Sequence, residues 1–91
     1  MPAGAKLRND SARFETRDGK RYAIGTSSVV MKNEELAKKM GANRARVAIL
    51  RLLQNKGPNE SVEGSLEGAR VVKEETTENG FLVEVEVEAP E

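Results

Sequence analysis

The chain has no cysteine, no histidine and no tryptophan among its 91 residues. Without cysteine there are no disulfide staples and no thiolate metal sites. Without histidine, the commonest general base, the commonest metal ligand and the side chain that titrates near neutrality are all missing. Ser27–Ser28 has no imidazole to activate it, which excludes a Ser-His hydrolase. The remaining carboxylates, lysines, serines and tyrosine fall at no spacing that suggests an active site. No enzymatic activity, metal or cofactor is therefore expected. Aromatics number only three, Phe14, Tyr22 and Phe81, a thin supply for a base-stacking platform. No apolar stretch approaches the roughly 20 residues of a membrane span. Met1–Leu7 carries one lysine and no apolar run, so no signal peptide is expected either. A soluble, cytoplasmic protein with no membrane partner is the expectation.

An excess of charge of one sign is also lacking: 15 Lys and Arg balance 15 Asp and Glu. The zero is an average over two unlike halves. Residues 1–56 hold thirteen basic and five acidic side chains, a net of +8, and residues 57–91 hold two basic and ten acidic, a net of −8. Such asymmetry points either to a polyanion-binding face or to two ends that attract each other.

Along the chain, residues 1–12 are small and polar and read as a mobile arm, leaving 13–91 as a single small domain. Residues 13–25 read as a β-hairpin, because Asp18-Gly19 suits a two-residue turn in which both residues take positive φ. Gly25–Ser28 reads as a break and Val29-Val30-Met31 as one more short strand. Asn33 suits a helix N-cap, with Glu34 and Glu35 at the positive end of the dipole. Gly41 is placed to end that helix, and Asn43 to cap a second from about Arg44 to Lys56, stopped by Gly57-Pro58. Arg46–Leu53 contains the Val47, Ile49 and Leu53 of a possible buried strand. Ala45, Ala48, Leu50, Leu52 and Gln54, and the length, favour helix. Residues 57–68 read as a loop and 69–89 as a second hairpin around Glu78-Asn79-Gly80. Its last strand alternates Phe81, Val83, Val85 and Val87 with Leu82, Glu84, Glu86 and Glu88, the pattern of a half-buried strand. Lys73 falls on the Glu84/Glu86 side.

The segment Asn33–Leu52 resembles the helix-turn-helix of transcription regulators. That pattern wants a small residue at its fifth position, filled by Ala37, and glycine at its ninth, filled by Gly41. Its four apolar positions are filled by Leu36, Met40, Val47 and Leu50. With strands around it, the whole resembles a winged helix-turn-helix domain. The implied class is α+β: an N-terminal β-hairpin, a helix-turn-helix pair over 33–56 and a C-terminal β-hairpin. In that family the second helix enters the major groove of double-stranded DNA. The resemblance thus implies a DNA-binding role for Asn43, Arg44 and Arg46 at base edges, and for Lys32, Lys38, Lys39 and Arg51 nearer phosphates. Arg13, Arg17, Lys20 and Arg21 form a secondary basic hairpin, which serves equally to protect an edge strand from aggregation. The second hairpin's tip, Thr76–Gly80, has no basic residue and fits packing or partner binding better than phosphate contact. A ribbon-helix-helix, with its strand at Lys20–Thr26 and first helix at Ser28–Met40, fits less well because Asn33 falls where that helix should be apolar.

Two functions follow as expectations. One is a small DNA-binding regulator or accessory factor, with a homodimer for two-fold sites. The other is a protein-interaction or self-assembly module, in which a basic half meets an acidic one and the acidic C-terminal hairpin engages a protein partner.

Overall fold

Asp18 and Gly19 both take positive φ, 51° and 79°, and close a hairpin between β1 (Ser11–Arg17) and β2 (Lys20–Val29). After β2 come a single helix, α1 (Glu34–Leu53), and a second hairpin of β3 (Arg70–Thr77) and β4 (Gly80–Glu88). The computed structural model describes residues 10–57, 60–78 and 80–89. The strands form one antiparallel sheet in the order β1-β2-β4-β3, with α1 packed on β2, β4 and β1. Pairing runs Ala23↔Val87, Gly25↔Val85 and Ser27↔Val83, so alternate residues of the central strands face α1 together. The core lies between them: Ala23, Val29, Phe81, Val83 and Val85 from the sheet, against Ala37, Ala45 and Ile49 from the helix. Among the described residues no helix is long and apolar enough to cross a membrane.

The fold remains α+β, but the helix-turn-helix pair is corrected to one continuous helix. Asn33 is the N-cap as expected: its side chain accepts a 3.1 Å hydrogen bond from the Leu36 N–H. Gly41 does not end the helix and Asn43 does not begin another; both lie inside α1. The helix ends at Gln54, where Asn55 takes the left-handed φ of 55°. The reason is the helical stripe Ala37, Gly41, Ala45 and Ile49, all buried, which only an unbroken helix can lay on the sheet. A ribbon-helix-helix falls for the same reason. The winged arrangement is corrected as well. The second hairpin is no appended wing, since β4 is a central strand whose Phe81, Val83 and Val85 build the core.

Two further expectations are revised. Gly25–Ser28 is no break, and Val29 ends β2 rather than opening another strand. The mobile arm reaches less far than residue 12, because Ser11 and Ala12 belong to β1 and Asp10 accepts a 2.7 Å hydrogen bond from the buried Ser27 hydroxyl. The remainder of that arm, residues 1–9, lies outside the described residues, as does Asn79 at the tip of the second hairpin.

Two glycines set how close α1 approaches. A Cβ on Gly25 would overlap the Ala45 carbonyl oxygen and come within 2.9 Å of Ile49 Cγ1. A Cβ on Gly41 would come within 2.5 Å of Val83 Cγ2. At Gly25 the obstacle is backbone, which cannot rotate away. Gly25→Ala should therefore lower unfolding stability by about 2 kcal/mol or more, in the upper range of overpacking effects. At Gly41 the obstacle is a valine methyl, and alanine's helix propensity offsets about 1 kcal/mol of the strain. Gly41→Ala should then cost less than Gly25→Ala in urea unfolding, and the reverse order would contradict this account of the interface.

Candidate interaction surface

With small residues, Ile49 and Leu52 turned to the sheet, most of the other larger apolar residues of α1 fall toward its opposite side. Leu36, Met40, Asn43, Val47 and Leu50 recur at alternating steps of four and three, which places them on one ridge of a straight helix. Leu36 is 46% exposed and Asn43 is exposed; Val47 and Leu50 are half-buried, as is Met40, which also packs against the core. These are the four apolar residues that a helix-turn-helix would have placed between two helices. In one straight helix there is no such angle for them to fill.

Basic residues border the ridge on both sides. Lys39 and Arg46 lie along one flank and Arg44 and Arg51 along the other, by the same helical spacing. Among the described residues, none of these four forms an ion pair. Arg51 also donates from Nε to the Glu60 carbonyl at 3.5 Å, and Gln54 Nε2 donates to the Glu63 carbonyl at 2.7 Å, so both hold the loop after α1. Of the seven residues expected to face DNA, the structure thus brings Lys39, Asn43, Arg44, Arg46 and Arg51 to one helix face. Lys38 leaves this group: it turns to the sheet side, 5.8 Å from the Phe81 ring centroid and 4.0 Å from Glu34. Lys32 precedes the helix and sits beside Glu34, Thr76 and Phe81.

The secondary basic hairpin is divided between the two faces of the sheet. Arg21 stacks on Phe14, 3.8 Å from its ring centroid. Arg13 and Arg17 lie on the face away from α1, as does Lys20, the register partner of Arg17. That face carries a row of register partners, Arg13, Ile24, Glu86 and Arg70, running across all four strands. Glu86 is only 5% exposed and pairs with both Arg17 and Arg70 (3.3 Å), so it draws in cations from the two edge strands. Glu15 pairs with Arg13 and Arg17 at 3.5 and 3.3 Å, and Arg17 also lies 4.5 Å from the Tyr22 ring centroid. Glu84 accepts from Thr26 at 3.3 Å and stands opposite Lys73 in register, on the side expected.

Sequence reasoning missed two features. The alternation of β4 places Glu86 on the outward face, but burial there depends on arginines from strands distant in sequence. The outer ridge of α1 was visible as a spacing, yet the same residues satisfied a helix-turn-helix pattern. Removing both cations from a buried carboxylate should cost more than removing the carboxylate. Arg17→Ala with Arg70→Ala should lower stability by about 1–3 kcal/mol, below the range for fully buried pairs because both arginines are substantially exposed. Glu86→Leu, beside the buried Ile24, should cost less in the same unfolding measurement. Compared with protein families, with curated proteins and with solved structures, the chain matches none.

Proposed function

We propose that the protein is a binding module that acts without chemistry, and that its acting surface is the outer face of α1. The partner this surface suits best is a protein with an acidic, partly apolar face. One observation carries the reading: four cations without an ion-pair partner among the described residues border an apolar ridge of which Leu36, Val47 and Leu50 lie outside the helix's own core. The cations favour an anionic partner, and the ridge favours one that offers apolar side chains between its charges.

A second reading, duplex DNA held by the same helix face, has its own support. Glu84, Glu86 and Glu88 alternate onto the sheet face away from α1, so they do not oppose phosphates approaching Arg44 and Arg46. The centre of the helix face weighs against it. A phosphate backbone offers charge to the cations but nothing to Leu36, Met40, Val47 and Leu50, whereas base and phosphate contacts come from polar groups. The acidic half of the chain is not free to serve as one large complementary face either, since Glu86 is already engaged by Arg17 and Arg70.

The two readings separate in a gel shift against random duplex and single-stranded DNA, at low salt and at about 150 mM, where charges more than ~8 Å apart are largely screened. The expected result is weak retention at low salt and none at the higher concentration. Retention that persists there in the native chain and disappears in Arg44→Glu/Arg46→Glu would replace the protein-partner reading with the nucleic-acid one.

A further inference from the structure

The outer face of α1 has the layout of a coiled-coil seam. Leu36, Asn43 and Leu50 occupy one of the two seam positions of a heptad, and Met40 and Val47 the other. The seam is about 21 Å long from Leu36 to Leu50, four turns of helix. Its flanking positions are Lys39 and Arg46 on one side and Arg44 and Arg51 on the other. These are the positions whose charges select a partner strand in a coiled coil.

The flanking charges exclude a second copy as the occupant. In a parallel pair Lys39 would face Arg44 of the other copy and Arg46 would face Arg51. In an antiparallel pair each flank would meet its own kind. Either way every cross-helix contact sets like charges together, which is destabilising. A helix with acidic flanks reverses every one of those contacts.

Resting on the proposed function above, we infer that α1 docks an amphipathic α-helix of another protein. That helix carries apolar residues at alternating steps of three and four over at least four turns, bordered by Asp or Glu. Asn43 stands at the middle of the seam, and a polar residue there fixes register by requiring a polar partner opposite it. The helix binds across the open side of α1 while the sheet covers the other, so the fold changes little on binding.

The test uses the full chain and two labelled peptides of one composition. The first has leucine at the seam positions, one central asparagine and glutamate at the flanks; the second is the same residues scrambled. Fluorescence anisotropy should show the first binding at least tenfold tighter than the second. Amide spectra should place the perturbations on Leu36–Leu50 rather than on β1 or β3. Leu36→Asn/Leu50→Asn should weaken the ordered peptide by roughly 10- to 100-fold, from the apolar contact removed, with the far-UV circular dichroism of the folded chain retained. Arg44→Glu/Arg46→Glu should also weaken it and should recover affinity for a lysine-flanked version of the peptide. Equal binding of ordered and scrambled peptides would overturn the seam while leaving an acidic partner in place. Binding of neither peptide, with duplex DNA retained at about 150 mM salt, would overturn both the seam and the protein-partner reading.

Discussion

The close approach of α1 to the sheet at Gly25 and Gly41 governs the rest of the molecule. A helix that comes this near can present only small side chains at the contact, and α1 does so with Ala37, Gly41, Ala45 and Ala48, with Ile49 as its one large fully buried side chain. The apolar bulk of the core therefore comes from β2 and β4, chiefly Phe81, Val83, Val85 and Val29. Of the helix's leucines, only Leu52 packs against the core, and it is partly buried. Leu36 and Leu53 are exposed, and Leu50 is half-buried. In an ordinary surface helix the large apolar stripe faces the core. Here small residues take most of that stripe, and Leu36, Met40, Val47 and Leu50 form the outer ridge.

Charge follows the same division. The chain carries +8 in its first 56 residues and −8 in the rest, but folding does not leave two opposed faces. The sheet joins the halves along one seam, because β2 from the basic half pairs with β4 from the acidic half. Arg17 from β1 and Arg70 from β3 then converge on Glu86 between them. Buried and doubly paired, Glu86 belongs to the architecture of the sheet. On α1, Lys39, Arg44, Arg46 and Arg51 form no ion pair among the described residues, and they border the apolar ridge. The net charge of zero thus hides a local excess at the surface where binding is proposed.

How much of this was legible depends on what each residue signals without its neighbours. Asp18-Gly19 needs positive φ at two adjacent positions, and few local structures other than a tight hairpin supply it, so that turn was readable. Asn33 as an N-cap and the alternation from Phe81 to Val87 were readable for the same reason: the signal is local and its physical cause nearly unique. Gly41 and Gly25 were not. A glycine marks either a backbone turned to positive φ or a place where another part of the chain comes too close for a Cβ. The sequence suggests the first for Gly41, and the structure shows the second. The distinction lies in Val83, more than forty residues away, and in Ala45 for Gly25. With a turn at Gly41, Leu36, Met40, Val47 and Leu50 would be the inside of a two-helix motif. The same four residues on a straight helix are the outside. Of the basic residues assigned to a site, those on α1 other than Lys38 stay together because helical spacing is insensitive to that error. Arg13 and Arg17 were separated from them by sheet pairing, which periodicity does not reveal.

The inversion of α1 also links its two faces mechanically. The inner contact is mostly backbone and methyl groups, which leaves little compliance in the height or rotation of the helix. Gly25 lies beneath the Ala45 carbonyl, and Gly41 lies against Val83, so two fixed points one turn apart determine which residues face outward. A seam of alternating threes and fours tolerates little rotation, because about 100° carries each side chain onto the next residue's direction. The tight inner packing therefore preorganises the outer ridge, so that the proposed partner helix would meet side chains already in position. Preorganisation of this kind lowers the entropic cost of association. It matters most for a small interface, where few contacts are available to offset that cost.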